Sequence, residues 1–478
     1  MILVNENHNY SYDTENFFPY EKIKMMTNMP QNTESGIIVY TGISDGMITV
    51  CAYIEGVKTE DTVKIEEAQD EKNALSLLFY RVLSKATGDT YPWGILYGVR
   101  PARFYHSLAD KFSPDYAQKV LRDKFLVSDG KISLVSAVAE SENKIIPLSG
   151  RNSFSLYVSI PFCPTRCSYC SFVSHSIERA ASLLDDYVEL LEKELEETGR
   201  YVKELGLKLE TVYFGGGTPT TLSASQLSRV LGAVERNFDL SQLREYTVEA
   251  GRPDTVTEKK LTVLKSAGVG RISINPQTFN DEVLNVIGRR HTSAQTLQAY
   301  DTAVNCGFEN INMDFIAGLP KDTLRSFTNS IETALKLAPS NITVHTLCLK
   351  TGAFMTSHGM PDKALAADMV EFSRNALTSA GYKPYYMYRQ GKSVGNLENT
   401  GWCTQGHDCL YNVFMMDETH TVLAAGAGAV TRLKNPENGK IERIYNYKYP
   451  YEYIGHFDEI LRRKHKISDF YKEIVNCS

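Results

Sequence analysis

Three cysteines, Cys163, Cys167 and Cys170, fall in the stretch YVSIPFCPTRCSYCSFVS (residues 157–174), with three and then two residues between them. Three soft thiolates folded back on one another suit an iron–sulfur cluster or zinc. A cluster commonly takes four cysteine ligands, and a closed structural zinc site also takes four ligands. Here Ser171 and Phe172 come next and His175 lies farther on, so no fourth Cys or His follows at short range. An incomplete ligand shell leaves a coordination position open, as it does at a reactive zinc. Just ahead of the cysteines, Tyr157, Val158 and Ile160 read as a strand, which Pro161 and Pro164 turn into a loop.

The elements that must hold this loop alternate along the chain. Strands are expected at 157–160, 211–214, 246–250, 271–275, 310–315 and 342–347, with amphipathic helices between them. One helix opens at Ser223, where Gln226 completes a capping box, and others stop at Gly268, Gly288 and Gly307. Alternating strands and helices imply parallel pairing, and six units fall short of the eight that close a barrel. The expected fold class is therefore α/β, an open partial barrel. Within 310–315, Ile311, Met313 and Phe315 face one way and Asn310, Asn312 and Asp314 the other. A polar face on a parallel strand suggests an interior lined for a polar ligand.

Two further pieces sit at strand ends. Phe214-Gly215-Gly216-Gly217-Thr218-Pro219 allows the backbone to approach a ligand closely and leaves N–H groups for an anion. Glu249, ending EYTVEAGRP, is an acceptor at the barrel mouth. His291 and His345 read as structural groups, and Cys403, His407 and Cys409 as thiols and a histidine without a fourth metal ligand.

The cysteine spacing after a strand, followed one strand later by GGGTP, resembles the radical S-adenosylmethionine (SAM) enzymes. YVSIPFC narrows the resemblance to the oxygen-independent coproporphyrinogen III oxidases and, with PWGILYGVRPARF at 92–104, to their HemZ-like subgroup. The resemblance implies a (β/α)6 TIM-like barrel and a [4Fe-4S] cluster on Cys163, Cys167 and Cys170. It also implies one SAM, or two. An electron from the cluster would cleave SAM to methionine and a 5′-deoxyadenosyl radical. The SAM contacts it carries over are Gly216, Gly217, Thr218, Glu249, Gln277, Arg289 and Asp314. Tyr157 matches a position near a second SAM, in a region that includes Gly217, Thr218 and Val430. Tyr157 and Arg166 stand as the catalytic candidates; Arg166, with Arg389, Lys392 and Arg432, is also a candidate cation for substrate propionates.

The implied reaction is oxidative decarboxylation of coproporphyrinogen III propionates to vinyl groups in haem biosynthesis. The alternatives are a haem-binding or haem-trafficking protein and a radical SAM methyltransferase acting on a tetrapyrrole. In favour of the alternatives, Cys170-Ser171-Phe172 lacks the C-x-C of the oxidases, and Ser159 stands where they carry His. The implied partners are a tetrapyrrole substrate and an electron donor such as flavodoxin or ferredoxin.

The remaining sequence bounds the protein. With 478 residues, 42% hydrophobic and 23% charged, two or three domains with ordinary cores are expected. These are an α+β accessory domain over 1–150, the barrel over 151–381 and a mixed, substrate-covering lid over 382–478. In the first, 36–56 reads as a hairpin and 71–86 as a helix, while Trp93 near Arg100 and Arg103 reads as a packing contact. The lid contributes an aromatic stretch over 445–453 and one or two closing helices. A net charge of −6 gives no broad basic surface for nucleic acid. Nine cysteines, without a recognisable signal or membrane span, point to the reducing cytoplasm, and a monomer is expected.

Overall fold

The computed structural model describes residues 1–5, 17–18, 21–30, 33–34, 36–65, 71–170, 175–348 and 362–476. The chain divides into two compact units, Met1–Ser136 with Arg389–Leu397, and Ala137–Tyr388 with Glu398–Ser478.

In the first unit, strands Ile37–Ser44 and Met47–Ile54 pair antiparallel around Asp45 and Gly46. Both turn residues have positive φ, 51° and 71°, the geometry whose twist matches that of the flanking strands. Val57–Lys64 adds another antiparallel strand, and Ile2–Asn5 and Lys24–Met26 add parallel ones. The helix Glu71–Thr87 covers this sheet, burying Leu75, Leu78, Phe79, Val82 and Leu83 with Leu3, Val39, Ile48 and Val50. Truncating one of these leucines to Ala would cost about 2–5 kcal/mol. Trp93 is fully buried, and the guanidinium 5.5 Å from its ring centroid is that of Arg389. Arg389 also donates to the carbonyls of Leu96 and Asn396. It is a packing residue, not a cation awaiting a propionate.

The second unit holds the expected open barrel. Six parallel strands lie side by side in chain order: β1 (Ser153–Ile160), β2 (Lys208–Gly216), β3 (Glu245–Glu249), β4 (Arg271–Ser273), β5 (Asn310–Ala317) and β6 (Asn341–Thr346). Beyond β6 the sheet continues into Glu398–Cys403, antiparallel, and Lys383–Arg389. Beyond β1 it continues into Thr421–Ala425, Val430–Lys434 and Ile441–Tyr445. Thr421–Ala425 runs parallel to β1, so the late part of the chain extends the sheet at both edges.

Local signals set the helices between the strands. Ser223 and Gln226 make both bonds of a capping box at the start of Ala224–Asn237. Gly268, Gly288 and Gly307 follow their helices with φ of 80°, 78° and 82°, conformations a residue with a Cβ adopts only under strain. Register sets the site: Tyr157 on β1 pairs with Tyr213 on β2, and Tyr213 with Thr247 on β3, so their side chains share one face. At the alternate positions Val158, Phe214 and Val248 are fully buried. Three helices close the chain where one or two are expected: Pro450–Gly455, Phe457–Lys464 and Lys466–Asn476.

Candidate active site

The cysteine loop is fastened to the barrel at several points. Cys163 ends a two-residue strand, Phe162–Cys163, that pairs with His175–Ser176. The Ser168 N–H donates to the Ile287 carbonyl at 3.0 Å, and the Thr165 hydroxyl to that of Gly288 at 3.1 Å. Buried Arg252 donates to Thr165 Oγ1 at 2.9 Å and lies 4.0 Å from Cys167 Sγ. Its other nitrogens grip Asp254 in a fork, which fixes the guanidinium plane. Arg289, also buried, donates to the Asn275 carbonyl at 2.6 Å and to Tyr169 Oη at 3.2 Å. Its Nε and Asn275 Oδ1 have no hydrogen-bond partner among the described residues. Burial, then the charges of Arg289 and Arg252, push the His291 pKa down to about 3, so that ring is neutral. Arg166 is exposed.

The glycine segment packs directly under this loop. A Cβ on Gly217 would sit 2.6 Å from the Phe162 carbonyl oxygen and 2.8 Å from that of Ile160. Gly216 has φ 103°, and a Cβ there would meet Ser159 Oγ at 2.8 Å. The expectation that these amides wait for an anion is corrected for two of them. Gly217 N–H donates to the Ile160 carbonyl at 2.8 Å and Thr218 N–H to that of Phe162 at 2.7 Å. Gly217 is there because backbone meets backbone, and Gly216 because the Ser159 side chain lies against it. Thr218 Oγ1 is also 3.4 Å from Cys163 Sγ.

Inside the barrel, register turns into chemistry. The Tyr213 ring stacks on Tyr411 at 4.4 Å, and Tyr157 lies 6.2 Å from Tyr411 and 6.3 Å from Tyr213. Tyr411 comes from the helix Leu410–Asp417, whose first N–H groups are held by Glu245 at the start of β3. The Tyr213 hydroxyl donates to Glu249 Oε1 at 2.7 Å. Burial lifts the Glu249 pKa to about 7; the Tyr213 bond opposes the rise and Asp314 adds to it. Burial works the same way on Asp314, but hydrogen bonding and the charge of His345, with Asn312 and Thr343, outweigh it and leave this carboxyl below its ordinary range. Two neighbouring carboxyls are thus driven apart, one poised near neutrality and one held ionised. Gln277, at the same mouth, has φ 68° and pairs its backbone with that of β5 at Asp314 and Ile316. A non-glycine held there is strained, as is common where a ligand is gripped.

The loop after Thr421–Ala425 reaches the same end of the barrel. Ser159 Oγ donates to the Ala427 carbonyl at 2.8 Å, and Tyr187 Oη accepts from the Ala427 N–H at 2.9 Å. Fully buried Glu194 accepts from the Gly426 N–H, Asn446 Nδ2 and Tyr453 Oη, each at 2.7 Å, and pairs with buried Lys464 at 3.0 Å. Val430 begins the next strand and is partly buried, with Arg432 two residues on.

The profile of the Radical SAM superfamily matches residues 157–334. The oxygen-independent coproporphyrinogen-III oxidase-like protein HemZ of Bacillus subtilis (strain 168) is 34% identical over 464 residues, covering 94% of this chain and 93% of that protein. The chain belongs to the radical SAM superfamily. Within it, the match places the chain with the HemZ-like coproporphyrinogen-III oxidase-like proteins. Heme chaperone HemW of Lactococcus lactis subsp. lactis (strain IL1403) is 31% identical over 323 residues, 66% of this chain and 79% of its own. Coproporphyrinogen III oxidase (HemN) from Escherichia coli has the same fold, with a TM-score of 0.53 at 23% identity over 67% of this chain and 72% of that one.

A radical SAM domain implies a [4Fe-4S] cluster and SAM, and the donor chemistry fits both. Three thiols share one loop, none in a disulfide, with two buried guanidiniums at Cys167 to offset the charge of a thiolate-bound cluster. Among the described residues, however, the sulfurs are not gathered into one ligand group: Cys163 faces Thr218 and Cys167 faces Arg252. Of the radical SAM positions named from the sequence, Tyr157, Gly216, Gly217, Thr218, Glu249, Gln277, Arg289 and Asp314 all fall at the barrel's carboxyl-terminal mouth or interior. Cys403, His407 and Cys409 bond separately to Asp408, Asn310 and Glu245, at the opposite strand ends. Sequence reasoning missed Arg252, Tyr213, Glu194 and Lys464. Arg252 could have been found as the cation wedged between Gly251 and Pro253 just past Glu249; the buried ion pair left no local signal.

Proposed function

We propose that the protein is a radical SAM oxidoreductase that converts coproporphyrinogen III propionates to vinyl groups by oxidative decarboxylation. The observation that carries this reading is the interior stack of Tyr157, Tyr213 and Tyr411 beside Glu249 and Asp314. It puts aromatic rings and carboxyls of differing protonation together in the barrel interior, a lining that suits a flat ligand with polar arms. Cluster and SAM, when bound, supply the hydrogen-abstracting 5′-deoxyadenosyl radical. Gly216, Gly217 and Thr218 would give the methionine end of SAM its close approach, and Glu249 an acceptor for its ammonium or ribose. Asp314 would take ribose hydroxyls, Gln277 would contact SAM, and Arg289, with a spare N–H, would take the carboxylate. Val430 would border a second SAM beside Tyr157. Arg166 and Arg432 would meet propionates. Residues 1–150, 151–381 and 382–478 would serve as accessory, barrel and lid segments of one cytoplasmic monomer.

A haem-trafficking role is the second reading, favoured by the similarity to Heme chaperone HemW. Against it, the His-Asn pair that the chaperones resembled here carry after a cysteine is replaced by Tyr411-Asn412. Anaerobic incubation of reconstituted protein with coproporphyrinogen III, SAM and dithionite should yield protoporphyrinogen IX, carbon dioxide and 5′-deoxyadenosine. SAM cleavage with no decarboxylation would reject the oxidase reading, and stoichiometric haem binding with a Soret shift would then favour the second.

A further inference from the structure

We propose that Tyr449 and Tyr451, with His175, form the docking surface for a small acidic protein that delivers one electron to the cysteine loop. The inference rests on the reading that this loop holds a redox-active cluster. Tyr449 and Tyr451 are 38% and 53% exposed. Exposed aromatic rings packed on one another mark interaction sites more than single exposed residues do. Tyr449 and Tyr451 stack at 5.5 Å with planes 10° apart, and both meet the His175 ring, at 5.7 and 6.0 Å. The rings therefore form a preassembled platform rather than scattered side chains.

Position gives the platform its purpose. His175 pairs with Phe162 and Ser176 with Cys163; the His175 N–H donates to the Pro161 carbonyl at 2.9 Å, and Ser176 Oγ to that of Pro164 at 3.2 Å. One backbone pairing thus separates the platform from a cluster-ligand cysteine. Charge identifies the visitor. The chain as a whole carries −6, yet exposed Arg179 and Lys448, each within four residues of a platform ring, make no ion pair among the described residues. The neighbouring acid Glu178 is bound by Arg290 at 2.6 Å. An acidic carrier would be repelled by most of this surface and drawn to this patch, which raises its encounter rate in a salt-dependent way. A small aromatic patch with a cationic rim also suits the brief, low-area contacts of electron transfer. In the step itself, the carrier's reduced flavin gives up one electron and becomes a semiquinone. A [4Fe-4S] cluster held by Cys163, Cys167 and Cys170 would take that electron, and no bond would be made or broken.

The test uses reconstituted full-length protein and fully reduced flavodoxin as the probe, with cluster reduction followed by stopped-flow absorbance and by the paramagnetic signal of the reduced cluster. Tyr449→Ser/Tyr451→Ser and Arg179→Glu/Lys448→Glu should each slow flavodoxin-driven reduction at low salt by at least about tenfold, the equivalent of about 1.4 kcal/mol. Reduction by dithionite, and the SAM cleavage it drives, should keep wild-type rates. Unchanged flavodoxin rates in both variants would overturn the docking surface, as would a loss shared equally by dithionite. Failure of dithionite to reduce the wild-type protein would instead strike the redox reading of the loop.

Discussion

Replacing Glu249 by Gln should alter the pH dependence of stability in a direction set by where that carboxyl sits. Burial raises its pKa from 4.5 to about 7, against the Tyr213 hydrogen bond that lowers it. At about 1.4 kcal/mol per tenfold change in proton affinity, the rise is worth about 3 kcal/mol. The native state binds this proton more tightly than the unfolded chain does. The resulting stability is fully present below pH 4.5 and is lost as pH rises through about 7. Glu249→Gln has no such proton to lose. Relative to the variant, the wild type should therefore weaken by about 3 kcal/mol on going from acid to mildly alkaline solution. Urea unfolding of both proteins at equal iron content, at several pH values, measures this through Trp402, which is buried in the same unit. Subtracting one protein from the other cancels the remaining titrating groups. A difference that stays flat within about 1 kcal/mol, or that grows in the opposite direction, refutes the claim that Glu249 is held in a poorly hydrated site. SAM provides a second arm. If Glu249 receives its cation, the stabilisation SAM gives the wild type should increase with pH and should lose that dependence in the variant.

Three further expectations follow from the same geometry. Lys464→Met leaves Glu194 buried without its cation and should cost about 3–5 kcal/mol in urea unfolding, since breaking a buried pair strands a charge; a loss under 1 kcal/mol would mean that water reaches the pair. Gly217→Ala forces a Cβ against two backbone carbonyls and should cost about 1–3 kcal/mol in urea unfolding; a loss under about 0.5 kcal/mol would mean that the cysteine loop moves aside. Ala at Cys163, Cys167 or Cys170 should abolish iron incorporation, whereas Cys403→Ala and Cys409→Ala should retain wild-type iron; loss of iron in the latter pair would point to ligands at the other end of the barrel.

The sequence determined by itself what depends on near neighbours. Alternating apolar runs fixed the six strands, Ser223 with Gln226 fixed a helix start, and Gly268, Gly288 and Gly307 fixed helix ends, because each is a contact within one turn or one strand. The cysteine spacing belongs to the same class, as does the polar face of Asn310, Asn312 and Asp314. Tertiary structure alone decided the contacts between strands and between distant helices. Whether the Gly217 and Thr218 amides face a ligand or the cysteine loop depends on how β1 and β2 align. So does the stacking of Tyr157 with Tyr213. The Glu194–Lys464 pair joins residues far apart in the chain, and neither side chain carries a mark in sequence that it will be buried. A carboxylate and an ammonium read as surface groups until packing removes the water around both, and only the folded chain brings them together.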